Sequence, residues 1–221
     1  MIASLPMYLF PETKAAHDAF WAGVRDKLRD RGIDAPRHLS HDASPCDVWG
    51  AEDLVLSHIC SLPYRLKFRN DLNRICGSDY GLDGCEPGYY RALFIVRRDH
   101  PAETPEDLDG ATMALNSGES HSGWGDAAIW AQNRGVRFRP TTLTGSHRNS
   151  VTSVVEDRAD FATIDAQTFQ ILKQIDPVAH QVRVVGATDP SPGMTFVTRT
   201  GNDPAPFRAA LDGALQALDR K

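Results

Sequence analysis

Apolar positions along the chain fall into short runs separated by glycine, proline and charged residues, and the runs switch between two periods. Ile2 to Leu5 predicts a strand. From about Pro11 to Arg31, Ala16, Phe20, Val24 and Leu28 recur every four residues, which predicts a helix stopped by Gly32. Short buried strands are expected at "DLVLS" (53–57) and "LNRIC" (72–76), followed by a glycine-rich loop over 76–88. "YYRALFIVRRD" predicts a long strand. In "ETPEDLDG", Thr104 caps, Pro105 opens and Gly110 ends a short helical turn.

Strand and helix then alternate. "TMAL" is a strand, Ser122 to Arg134 a helix ending near Gly135, "RFRPTTL" a strand, and Ser146 to Arg158 a helix. "FATI", a helix from Ala166 to Ile175 and the strand "VRVVGA" follow. Such alternation implies a mainly parallel sheet with helices on its faces. After "DPSPG" (189–193), the strand "MTFVTR" leads to a last helix with Phe207, Leu211, Leu215 and Leu218 along one face. The expected fold is α/β in two lobes with mainly parallel sheets. The first lobe would comprise 1–96 plus 190–221 and the second 97–189, with crossings near Val96 to Asp99 and Ala187 to Met194. Two crossings make a hinge, and a ligand cleft is expected between the lobes.

At 221 residues the chain can support two workable cores. A net charge of −5, with basic residues scattered rather than striped, argues against nucleic acid as a partner. No apolar run is long enough to span a membrane. The opening "MIASLPMYLFPET" lacks a basic start and is broken by Pro6 and Pro11, so it does not read as a signal peptide; as written, the chain is expected to be cytoplasmic or already trimmed. Cys46, Cys60, Cys76 and Cys85 include no C-x-x-C pair, which disfavours a zinc or thioredoxin-like site and leaves buried thiols or one disulfide as alternatives. No metal is expected, and no nucleotide cofactor either, because "GESHSGWG" lacks both the dinucleotide and the P-loop fingerprint.

The chemistry concentrates in "LNSGESHSGWGDAAIW" (115–130). A loop between a parallel strand and a helix lies at the carboxyl end of the strand, where open α/β sheets bind ligands. The first helical turn leaves backbone N–H groups unpaired and carries a partial positive charge, which suits an anion. Asn116 opens this loop, Ser120, His121 and Ser122 add side-chain donors, and Gly123 lets an oxyanion approach the backbone. Capping alone would need one hydroxyl, and the surplus favours a ligand. Gly145, Ser146 and His147 repeat the composition at a second helix mouth. Asp165, after "FATI", is either an N-cap or a cleft residue. In the cleft its charge would favour a ligand bearing a P–OH or an amine over sulfate. Tyr8, Ser57, His58, Tyr90 and Arg91 border the same expected cleft. Ser122, His147 and Asp165 are also the obvious triad candidates, but no G-x-S-x-G elbow surrounds a serine, so covalent catalysis is not expected.

"ASLPMY", the N-x-x-x-S-x-S-G at Asn116 to Gly123, "GSH" at 145–147 and the V-x-D-x-x-A-D-F-A-x-I-D from Val155 to Asp165 together resemble the phosphate, phosphite and phosphonate substrate-binding proteins of ABC importers. The resemblance implies a type II periplasmic-binding-protein fold, a small oxyanion ligand, a periplasmic location and an ABC permease as partner. It also implies oxyanion contacts from Ser120, His121 and Ser122 with His147 assisting, Asp165 at the ligand's other end, Tyr8 closing the site, and Cys60 with Cys85 as the pair for any disulfide. A monomer is expected of a hinge-closing binder. The sequence departs from the family where relatives often have Q-T-C-G-Y-P: here "HICSLP" places His58 for the glutamine and Leu62 for the tyrosine. Tyr90, Arg91 and Ala92 replace Y-R-S, so one hydroxyl donor is gone. The competing expectation is a cytosolic enzyme on the same fold, similar to menaquinone-pathway dehydratases or pyrimidine-precursor synthases.

Overall fold

A computed structural model describes residues 1–218; Asp219 to Lys221, the end of the expected first-lobe range, lie outside the described residues. The chain divides into two compact units, Met1–Ser78 with the segment from Met194 onward, and Asp79–Gly193.

In the first unit, β1 (Ile2–Ser4) leads to α1 (Lys14–Arg29), and α2 (Pro45–Gly50) precedes β2 (Leu54–Ile59). One turn, α3 (Ser61–Pro63), continues as a π-helical turn over Tyr64–Phe68 and returns to β3 (Leu72–Gly77). The chain re-enters this unit as β11 (Thr195–Arg199) and α7 (Pro204–Leu218). Strand order is β1-β2-β11-β3, with β1 and β2 parallel and β11 antiparallel to both neighbours. Trp21, Val24 and Leu28 of α1 pack with Phe207, Ala210, Leu211 and Ala214 of α7 against Ala3, Val55 and Ile75. Val48 and Trp49 of α2 join Leu54, Ile59, Leu72 and Val197 in a second cluster. The sequence periodicity missed α2 because its six residues are too few to show one; Ser44, whose side chain accepts from the Asp47 N–H, and Pro45 at the first turn are the signals that define it.

The second unit begins with β4 (Tyr89–Tyr90) and β5 (Ala92–Arg97). It continues through β6 (Thr112–Leu115), α4 (Asp126–Arg134), β7 (Arg139–Leu143), α5 (His147–Val155), β8 (Phe161–Asp165) and α6 (Ala166–Ile175), and ends with β9 (Val182–Ala187) and β10 (Ser191–Pro192). Its main sheet has the order β7-β6-β8-β5-β9; β7, β6 and β8 are parallel, while β5 runs antiparallel to β8 and β9. Phe94, Met113 and Phe161 from the strands meet Ala127, Trp130 and Ala131 of α4. Gly135 ends α4 in the left-handed conformation (φ 69°), where a side chain would be strained.

Each sheet is mainly parallel, as expected, with one reversed strand: β11 in the first and β5 in the second. Three other expectations are corrected. The crossings fall at Ser78/Asp79 and Gly193/Met194, not near Val96 to Asp99. The long strand is broken at Arg91 into β4, which pairs with β10, and β5, which lies between β8 and β9 deep in the second unit. The buried face of α7 is Phe207, Ala210, Leu211 and Ala214, with Leu215 and Leu218 about half exposed. Ala214, whose Cβ would lie 3.5 Å from one built on Gly23, lets α7 sit close to α1. Phe207→Ala should therefore cost about 3–5 kcal/mol in urea unfolding, whereas Leu215→Ala should stay within about 0.5 kcal/mol.

Candidate functional site

Because β7, β6 and β8 run parallel, their carboxyl ends and following loops share one edge of the second sheet. Leu115 O accepts from Thr144 N (2.9 Å) and Asn116 O from Gly145 N (3.0 Å), extending the β6–β7 pairing into both loops. The first loop then enters a π-helical turn, His121–Gly125, before α4. Such turns recur at functional sites because they re-aim side chains relative to a regular helix. Ser120 caps this turn through its Oγ, which accepts from Gly123 N at 3.0 Å. Ser146 caps α5 in the same manner, accepting from Asn149 N at 3.1 Å.

The two helix mouths are joined by one bond: Ser122 Oγ lies 3.0 Å from His147 Nε2. Desolvation pushes His147 down to about 4, so the ring is neutral at pH 7. Its Nδ1 is buried and has no hydrogen-bond partner among the described residues. A Ser–His–Asp triad needs that nitrogen held by a carboxylate, so the arrangement lacks the orienting third member. Asn116 packs so tightly on Gly123 that a Cβ there would stand 1.8 Å from Asn116 Oδ1. Glycine at 123 is a packing requirement of the mouth. Asp165 is fully buried at the end of β8, and its Oδ1 accepts from Thr168 N at 2.7 Å, the N-cap role.

His121 lies beside Asp126 and Ser191. Its Nε2 faces Asp126 Oδ1 at 3.0 Å and Ser191 Oγ at 3.2 Å, while Ser191 donates to Asp126 Oδ2 at 3.2 Å. Tyr90, itself buried, stacks on the imidazole at 6.0 Å. Asp126 and Ser191 were missed in the sequence: an acidic residue in a first helical turn is commonplace, and Ser191 sits in "DPSPG", which reads as a linker. The five-residue step from 121 to 126 suits a π turn and is the one local signal. Near this mouth, Arg91 donates to Gly84 O and Arg148 Nε meets Asp176 Oδ2 at 3.0 Å.

In the first unit, β1, β2 and β3 point their carboxyl ends to a common edge. Tyr8 sits there with φ 62°, a left-handed conformation that a bulky residue rarely adopts and that concentrates at functional sites. Thr13 Oγ1 donates to Tyr8 O at 2.9 Å and pins that loop. His58 is buried, stacked on Phe196 at 4.5 Å, 6.1 Å from the Tyr8 ring and 2.7 Å from Ser78 Oγ through Nε2. Desolvation, helped by the neighbouring His17, pushes His58 down to about 3. Ser57 is fully buried and its Oγ has no hydrogen-bond partner among the described residues. All four cysteines carry thiols, the first of the two alternatives left open by the sequence; Cys60 and Cys85, the pair named for any disulfide, belong to different units. Among the described residues no group of histidine, cysteine and carboxylate side chains is arranged to hold a metal.

The profile of the ABC transporter phosphonate periplasmic substrate-binding protein family matches residues 73–221. The chain belongs to this family. No curated protein compared with it matches. Among solved structures, a Xanthomonas citri protein bound to ATP is similar at 19% identity with a TM-score of 0.67, over 99% of this chain and 83% of that one. The binding-protein component of an ABC phosphonate transporter from Pseudomonas aeruginosa is similar at 16% and 0.64, over 98% and 72%. A Prochlorococcus marinus protein in complex with methylphosphonate is similar at 13% and 0.67, over 98% and 82%. The phosphonate-binding-family chain thus has the type II periplasmic-binding-protein fold.

Two buried, neutral histidines make stability depend on pH. A histidine whose folded pKa lies below its unfolded value of about 6.5 contributes fully above that value and loses the contribution as pH falls towards the folded value. Between pH 6.5 and 4.5, His58 should account for roughly 2 to 3 kcal/mol of lost stability. Urea midpoints for His58→Gln should therefore fall less over this window than those of the wild type. A second expectation concerns Gly123→Ala, which should dislodge Asn116 and lower the thermal midpoint by several degrees.

Proposed function

We propose that this member of the family binds a small phosphorus oxyanion (phosphate, phosphite or an alkylphosphonate) and presents it to an ABC permease in the periplasm as a monomer. The observation that carries the reading is the Ser122–His147 bond, which joins two capped helix N-termini at one sheet edge. A neutral His147 that donates its Nε2 proton to Ser122 Oγ leaves the serine proton to donate onward. An oxyanion selects that arrangement because it only accepts. Ser120 offers its remaining hydroxyl proton, Gly123 lets the ligand approach the backbone, and the partial positive charge of the helix mouths adds to both.

Asp165 is proposed to face the ligand's protonated oxygen or amine while keeping its cap. His121, Asn116, Tyr90 and Arg91 complete the second unit's proposed contribution, and Tyr8, Ser57 and His58 are proposed contacts on the carboxyl edge of their own sheet. The strained backbone of Tyr8 and the desolvated His58 support that assignment. Periplasmic delivery follows the family's description, and no described helix is long and apolar enough to cross a membrane. Turnover is not proposed, since His147 lacks a carboxylate to orient it.

A thermal-shift panel of phosphate, phosphite, methylphosphonate, 2-aminoethylphosphonate, sulfate and carboxylates tests the reading. Ligand at 100 times its dissociation constant adds about 2.7 kcal/mol, a rise on the order of 5–10 °C for a chain of this size. A rise confined to phosphorus oxyanions, weakened at least tenfold in affinity by Ser122→Ala, is expected; a flat response to every one of them refutes it. Asp165→Asn should narrow the preference for phosphorus oxyanions over sulfate.

A further inference from the structure

We propose that the cavity between α4 and the chain entering β7 is a second ligand site, one that takes a small amphipathic monocarboxylate with an aromatic body. It is independent of the oxyanion reading above. The cavity measures about 600 Å³, and Trp124, Ala128, Ala131, Val136 and Phe138 form its apolar floor. A volume of this order, with a mostly apolar lining and a few polar groups, is usual for a small-molecule site. One wall comes from the turns that lead into β6 and β7, whereas the helix mouths follow the far ends of those strands. Those turns are tied together: Gly110 N donates to Arg137 O at 2.7 Å, Arg137 N to Asp109 Oδ1 at 2.8 Å, and Arg139 Nε to Gly110 O at 2.6 Å.

Two rings suit an aromatic occupant. Phe138 is fixed by the core, edge-on to Phe161 at 4.7 Å and stacked on Trp130 at 6.1 Å, so its place is set before any ligand arrives. Trp124 is half-buried at the margin of the same core. The other three tryptophans are engaged: Trp21 donates to Pro36 O, Trp49 donates to His58 O, and Trp130 meets Phe94 and Arg134. Trp124 has neither a ring partner nor a hydrogen bond for its N–H among the described residues. An indole drawn out of water usually finds both, and an aromatic ligand with a polar end provides them here. The rim decides the sign of that end. Arg139 is anchored on Gly110 O and lies in the field of Asp160. The Arg137 guanidinium is exposed and has no partner among the described residues. Asp109, with one oxygen bonded to Arg137 N, is the one acid among the described lining residues. A single carboxylate matches the planar fork of Arg137. A dianion would add repulsion from Asp109, and an amine would meet two guanidinium groups.

Titration of the full chain, carrying isotope-labelled tryptophan, with phenylpropionate, phenylpropionamide and phenylpropylamine, followed by NMR, tests the site. Trp124→Phe assigns the Trp124 indole resonance. Phenylpropionate is expected to move that resonance saturably. Because an ion pair on an exposed rim is worth little, the neutral amide should bind only about threefold to fivefold more weakly, with the amine weaker still. Arg137→Gln should erase the advantage of the carboxylate over the amide, and Ala128→Phe, which fills the floor, should weaken all three probes. A Trp124 resonance unmoved by phenylpropionate overturns the proposal. So does equal affinity for carboxylate and amine, a carboxylate preference that survives Arg137→Gln, or unchanged affinity in Ala128→Phe. Saturating methylphosphonate should leave the titration unchanged; competition would place the probe at the helix mouths and refute the second site. If Ala128→Phe does not fold, the Trp124 resonance and Arg137→Gln, a substitution on the exposed rim, decide the question alone.

Discussion

The 3.0 Å contact between Ser122 and His147 is the point on which the candidate site depends. Two helices start beside each other only because β6 and β7 run parallel, and the paired backbone continues past the strands into both loops. Each helix mouth has its own serine cap, so the backbone donors that remain, and the hydroxyl and imidazole between them, converge instead of scattering. Asn116 packed on Gly123 holds one side of this arrangement at van der Waals limits. Rotating either loop away would uncouple the mouths.

Helix dipoles and neutral donors contribute to the electrostatics of the mouth. Of the nearby arginines, Arg91 donates to a backbone carbonyl and Arg148 meets Asp176. His147 stays neutral through desolvation. Against these stand two buried carboxylates, Asp165 and Asp126, each with a structural bond that fixes it in place. Under the proposed function, such a site would discriminate by the ligand's protons, because a hydroxyl or ammonium satisfies a carboxylate that a bare oxyanion would repel.

Much of the second unit was legible in the sequence. The alternation of strand and helix from Thr112 to Ala187 emerges nearly as the hydrophobic periods imply, and Ser120, Ser146 and Asp165 are caps where hydroxyl or acid precedes a helix. The first unit was less legible. Its helix over 45–50 is too short for a period, and the leucines of α7 misled because alanines, not Leu215 or Leu218, form the close-packed face. For His121, composition marks a donor near the mouth, and only the structure shows its Nε2 turned to Asp126 and Ser191.

The amino-acid sequence by itself determined the local devices, the helix mouths, their caps and the glycines between them, because capping involves residues three or four positions apart. It also determined the family, since that pattern repeats in order along the chain. Tertiary structure alone decided which mouths meet, where the chain passes between units, and which charges share a buried space. Ser191 reaches His121 across 70 residues and Ser78 reaches His58 across 20. Such contacts follow from strand order and direction, and no local period in the chain encodes those.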